Sequence, residues 1–233
     1  CSPGTYTLRV YVDDIYGNSN DTEIPLTISQ VGEWYVSVSA GTATEGSNPN
    51  LGFGTNASAT DGFDSELDVI HPPAAPGAKF DAYFIMPEAH PFLGNKLDVD
   101  YRAPADEIEW KLHVESTNEE IEITWDSSQV PRDFMLTMDT DGDEIADVDM
   151  IAENNITINA GTHDLIIRAE KDTVPPSIYD LTPQPNTTIY ETRPIISASY
   201  YDEGTGINIS SVRMVVDGED VTALATVTEN NIS

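Results

Sequence analysis

A hydrophobic alternation of period two, recurring in short bursts along the chain, narrows the fold more than any other feature. Tyr6, Leu8, Val10 and Val12 interleave with Thr5, Thr7, Arg9 and Tyr11. Successive side chains of an extended strand point to opposite faces, so such a run reads as a half-buried strand. The pattern returns in Trp34-Tyr35-Val36-Ser37-Val38, then around Trp110, Leu112 and Val114, Ile121, Ile123 and Trp125, Ile156 and Ile158, and Leu165 and Ile167. Near the end Ile178 and Leu181 begin a strand, and the alternation reappears in Ile196, Ala198 and Tyr200 and in Val212, Met214 and Val216, with Asp217-Gly218 as a hairpin turn before Val221. A loop-rich stretch separates the bursts from Gly41 to Gly77, and Met86-Pro87-Glu88-Ala89-His90-Pro91 reads as a surface loop. Short strands punctuated by 15 prolines and 15 glycines predict an all-β chain. No run approaches the roughly 20 apolar residues of a membrane-spanning helix.

Charge excludes one class of partner. Forty-one Asp and Glu against ten Lys and Arg give a formal charge of -31, a field that repels nucleic acid. Solubility in high salt, a cation-rich surface layer and specific divalent-ion sites all fit such acidity. The single cysteine, Cys1, rules out an internal disulfide, so packing, with or without bound ions, must hold the fold. A leading cysteine also suits a lipid-modified chain, but the strand from Thr5 leaves little tether, and an arbitrary boundary explains it better. No basic and apolar leader opens the chain, so a signal peptide is expected to be gone or not included. Asn-x-Ser/Thr occurs at Asn20, Asn56, Asn155, Asn186, Asn208 and Asn231, six of fourteen asparagines. These sites predict glycosylation and an extracellular or cell-surface location of archaeal or bacterial type. Turns and strand ends also favour Asn, Ser and Thr, which inflates such matches.

The two ends carry a resemblance. Pro3-Gly4-Thr5-Tyr6-Thr7-Leu8-Arg9-Val10-Tyr11-Val12-Asp13-Asp14, then Gly17-Asn18, resembles the last two strands of bacterial and archaeal Ig-like domains. Pro175-Pro176 and the strand after it, then Asp202-Glu203-Gly204-Thr205-Gly206-Ile207 and Ser211 to Gly218, resemble the opening strands of the same family. Residues 30–172 resemble a β-sandwich module of secreted surface proteins, through Phe53-Gly54, Ala59-Thr60-Asp61-Gly62-Phe63-Asp64, Asp68, Ile123-Thr124-Trp125-Asp126, Val130-Pro131 and Val148-Asp149-Met150. The resemblance implies Ig-like β-sandwich modules: the final strands of one domain in 1–29, a central sandwich in 30–172, and the opening strands of a domain in 173–233. The halves can be cut from a tandem array, can close on each other around an inserted centre, or can complete neighbouring copies by strand complementation.

One motif offers ligand chemistry. In Asp139-Thr140-Asp141-Gly142-Asp143-Glu144-Ile145-Ala146-Asp147, aspartates at positions 1, 3, 5 and 9 can converge on one centre, the hard-oxygen set that Ca2+ takes. It resembles the calcium repeat of thrombospondin type 3 modules, from which it departs at Glu144, where that repeat has glycine. Asp139, Asp141, Asp143 and Asp147 are the expected ligands; the alternative is a solvated acidic hairpin between strands at Phe134–Met138 and Val148–Met150. Asp61, Asp64, Glu66 and Asp68 form a second acidic group, and Asp13, Asp14, Asp202 and Glu203 a third near strand ends, both read first as turn chemistry. Four scattered histidines (His71, His90, His113, His163) match no zinc motif, and no nucleophile elbow or phosphate loop is present. Trp34, Trp110 and Trp125 can line a sugar platform, although a Trp in an alternating strand more often belongs to a core. The expectation is a structural, non-enzymatic component of a surface layer, stalk or filament whose partners are neighbouring copies or adjacent domains. Its rival is a carbohydrate- or protein-binding accessory module of a larger secreted hydrolase.

Overall fold

The computed structural model describes residues 4–13, 19–28, 33–91 and 94–233, the first two stretches as backbone pairing only. Its strands in chain order are β1 (Gly4–Asp13), β2 (Ser19–Ile28), β3 (Trp34–Gly41), β4 (Ser47–Thr55), β5 (Val69–Ile70), β6 (Phe80–His90), β7 (Gly94–Arg102), β8 (Glu107–Ser116), β9 (Ile121–Asp126), β10 (Phe134–Asp139), β11 (Val148–Asp149), β12 (Asn155–Ile158) and β13 (Gly161–Lys171). After these come β14 (Ser177–Thr182), β15 (Ser197–Tyr201), β16 (Val215–Val216), β17 (Glu219–Asp220) and β18 (Asn231–Ile232). The chain is all-β, as its alternation predicts.

Residues 34–171 form one 11-stranded sheet in the order β11-β10-β13-β8-β6-β7-β4-β3-β9-β12, with β5 beside β7. All its pairings are antiparallel except β4 with β7, which makes the sheet mixed. A flat sheet would hold β3 and β8, four spacings apart, at about 19 Å. Yet the Trp34 and Trp110 rings lie 5.6 Å apart, Phe53 and Trp110 4.8 Å apart, and Trp34 and Phe134 6.5 Å apart. The sheet is therefore curled until its halves face each other around a core. Its two ends are joined through β11 and β12, with residues 150–154 between them. Trp125 fastens this closure, its backbone N–H donating to Asn154 at 3.0 Å and its indole N–H to the Met150 carbonyl at 2.9 Å. Ig-like sandwich topology is not shown by these pairings, and the rest of the strands make only small sheets: β1-β2, β14-β15-β18 and β16-β17.

Burial follows the alternation. Trp34, Val36, Val38 and Ala40 of β3, Ile108, Trp110, Leu112 and Val114 of β8, Ile121, Ile123 and Trp125 of β9, and Leu165, Ile167 and Ala169 of β13 all enter the core. All three tryptophans are buried, so none is exposed to serve as a sugar platform. Two strands escape the pattern. In β4, Leu51 to Thr55 are buried without a break, the Tyr35 ring of β3 lying over Gly52, and in β6 so are Asp81 to Phe84, where His71 of the 56–79 loop meets Asp81 and Tyr83. The Gly41–Gly77 stretch expected as loop thus contains β4 and β5, and the loop expected at 86–91 is largely the exposed outer end of β6. Asp217-Gly218 forms the expected hairpin turn, with φ of 52° and 87°.

Candidate metal site

β10 carries the acidic motif outward and β11 returns it, with Met138 paired to Val148 and the Asp147 N–H donating to the Met138 carbonyl at 2.9 Å. Asp139 ends β10 in a buried position, so its carboxylate must be satisfied locally. The loop supplies the donors: the N–H groups of Asp141 (3.2 Å) and Gly142 (2.7 Å) reach Oδ1, and that of Glu144 (2.9 Å) reaches Oδ2. Asp141 accepts from Asp143 N–H at 3.2 Å, and Asp143 from Ile145 N–H at 2.8 Å. Asp147 reaches back to the Thr140 hydroxyl (2.5 Å) and N–H (2.8 Å), bonds that hold its carboxyl below the usual range. Backbone donors thus wrap the acids into a fixed cup.

Asp139, Asp141 and Asp147 each place one carboxylate oxygen within 4.8 Å of the others. Two oxygens that share one ion at about 2.4 Å can be no farther apart than about 4.8 Å. The exposed cluster could therefore hold a metal ion. Each carboxylate oxygen has two lone pairs, so one already bonded to an N–H keeps a second for a cation. Asp143 stands outside this group of three. Glu144, where the resembled repeat has glycine, adopts φ 70°, and Gly142 has φ 80°. The backbone thus takes a glycine-like turn even where the residue is glutamate.

The other expected sites disperse. Asp64 accepts from the Thr60 N–H at 2.6 Å, and Asp68 from the N–H groups of Asp64 (2.7 Å) and Tyr101 (2.8 Å), so both act as loop clamps. Burial, with help from neighbouring Asp100 and Asp64, pushes the Asp68 carboxyl up to about 6 although both N–H bonds oppose it. Asp202 accepts from Gly204 N–H (3.1 Å) and Gly206 N–H (2.9 Å) as a turn residue. The side chains of Asp13 and Asp14, like those of Cys1 and Asn20, lie outside the described residues. Of the sequons, Asn155, Asn186 and Asn208 are exposed and Asn56 and Asn231 half-buried.

Sequence reasoning missed a polar cluster beneath the 56–79 loop. His71 lies between two buried acids, Nε2 at 2.8 Å from Asp81 and Nδ1 at 2.7 Å from Asp98. Asn48 donates to Asp98 at 2.7 Å, Lys96 approaches Asp81 at 3.4 Å and sits 3.8 Å over the Tyr83 ring, and Tyr83 stacks on His113. Both ring nitrogens of His71 are committed to carboxylates, which leaves neither for a substrate or a metal, and the cluster reads as a latch. Separation in sequence concealed it, because His71 follows β5 while Asp81 lies in β6 and Asp98 in β7; the Pro-rich flank of His71 signals a loop and nothing about its partners.

Compared with protein-family models, curated proteins and solved structures, the chain matches none.

Proposed function

We propose that this chain is a non-catalytic structural component of an extracellular or cell-surface assembly, in which a calcium ion at the β10–β11 hairpin stiffens the curled sheet. The observation that carries the reading is the convergence of Asp139, Asp141 and Asp147 within 4.8 Å, on a loop whose N–H groups already orient Asp139. Unneutralised, each pair of such charges costs about 1 kcal/mol even in water. A cup of this kind is worth keeping only where a cation is abundant or the turn itself is needed. Calcium suits three carboxylates with carbonyl and water oxygens completing its six to eight ligands, and magnesium demands a tighter octahedron. The acidity of the whole chain, -31, and three exposed sequons fit a surface bathed in salt.

Titration calorimetry tests this directly. The full chain should take up about one calcium ion per molecule, with magnesium much weaker, and Asp141→Ala should abolish the heat. Equal heats in wild type and variant would remove the specific site and with it the ion-stiffened reading.

A further inference from the structure

The C-terminal unit, residues 173–233, lacks a core. Its only buried large hydrophobics are Tyr200 and Ile232, while 12 of the 16 exposed large hydrophobics among the described residues fall between Val174 and Leu224. β14 is exposed at every position, with Ile178 67% accessible, and among the described residues it pairs with β15 alone, leaving one edge open. An apolar sheet face with a free edge is a site for added strands.

The same chain holds a complementary piece. The strands β1 and β2 pair only with each other among the described residues. Their register sets Tyr6 opposite Leu26 and Leu8 opposite Ile24, while the alternate pairs include Thr5 with Thr27 and Arg9 with Glu23. The register thus sets apolar residue against apolar residue at alternate positions of the hairpin. A two-stranded hairpin is marginal alone.

The central sheet brings the two pieces together. Trp34, where the chain enters that sheet, pairs with Thr55, which pairs with Arg102. Lys171, where the chain leaves, pairs with Phe134, and the Phe134 and Trp34 rings lie 6.5 Å apart. Entry and exit are therefore at one end of the sheet. Five residues link β2 to β3 and five link β13 to β14, and each link reaches at most about 20 Å. The C-terminal unit is also seated there: Asp172 accepts from the N–H and hydroxyl of Thr205, both at 2.7 Å, and a β-carbon at Gly204 would overlap its carboxylate. Tethers this short give an effective concentration in the millimolar range, which a second copy at micromolar concentration cannot match.

We propose that the β1–β2 hairpin docks on the exposed apolar face of the C-terminal unit of the same chain, so that residues 1–29 and 173–233 form one bipartite domain carrying the central sheet as an insertion. Docking covers Ile178 and its neighbours and satisfies the open edge of β14. It does not involve the acidic hairpin, so EDTA leaves it unchanged and the calcium titration neither supports nor opposes it.

Hydrogen exchange on the full chain, read by mass spectrometry with light scattering alongside, tests the docking. The wild type should be monomeric, with amides of 4–13 and 177–182 both protected. Leu8→Asp and Ile178→Asp should each speed exchange roughly tenfold or more in both segments. Near-UV circular dichroism of Trp34, Trp110 and Trp125, all in the central sheet, should stay the same and so show that each variant is folded. Substitutions that loosen only their own segment would overturn the proposal. So would a wild type that self-associates and whose protection rises with concentration, which would assign the face to a second copy.

Discussion

Glu144 stands at φ 70°, a backbone conformation that costs a residue with a β-carbon about 1–2 kcal/mol. Its N–H is one of three that hold Asp139, so the turn cannot relax without releasing that carboxylate. Glu144→Gly should therefore stabilise the chain by about 1 kcal/mol, seen as a higher urea midpoint with unchanged slope. Asp68 sets a second residue-scale expectation. Its carboxyl, pushed up to about 6 by burial, binds a proton more readily folded than unfolded, where the value is about 4. Its contribution is then fully present below about pH 4 and is lost as pH rises through about 6. Glu119 works in the opposite direction: bonds from the Thr44 hydroxyl and N–H hold it down to about 2. That contribution is present above about 4.5 and is lost as pH falls toward 2. Urea midpoints measured between pH 2 and 7 should show the slope between pH 4 and 6 vanish in Asp68→Asn, while the loss below pH 4 remains.

At the scale of elements, the curled sheet depends on close approach of β3 and β4. Gly54 pairs with Tyr35, and a β-carbon there would overlap the Trp34 carbonyl oxygen, which is backbone and cannot swing away. Gly54→Ala should destabilise by about 1–3 kcal/mol in chemical denaturation. The latch beneath the 56–79 loop is the other test, because His71→Ala leaves Asp81 and Asp98 buried without their shared partner. The expected cost is about 3 kcal/mol, with faster proteolysis inside the 56–79 loop. What the sequence disclosed, and what it concealed, follows from burial. Strands with one wet face, such as β3, β8, β9 and β13, alternate and were legible as Trp34-Val36-Val38 or Trp110-Leu112-Val114. β4 (Ser47–Thr55) is rich in Gly and Asn and buried on both faces at its end, so it shows no period and reads as loop. Likewise the Asp139 hairpin was visible from its spacing alone, whereas His71, Asp81 and Asp98 meet only through sheet pairing and a covering loop.

For the whole molecule, the central strands form one continuous mixed sheet, and its closure runs through the segment 148–158. That segment begins at β11, the return strand of the acidic hairpin, and ends at β12 on the opposite edge. Whatever fixes the hairpin therefore fixes one side of the seam, which couples a local ion to global stability. At calcium a hundredfold above its dissociation constant the linkage is worth about 2.7 kcal/mol, or about 5–10 °C in melting temperature for a chain of this size. The direct measurement is a thermal melt of the full chain in excess EDTA, then in millimolar calcium and, separately, magnesium. A calcium-selective rise of that size, absent in Asp141→Ala, is the predicted result. Identical melts in EDTA and calcium would contradict an ion-stiffened sheet and leave the Asp139–Asp147 turn as a solvated acidic hairpin.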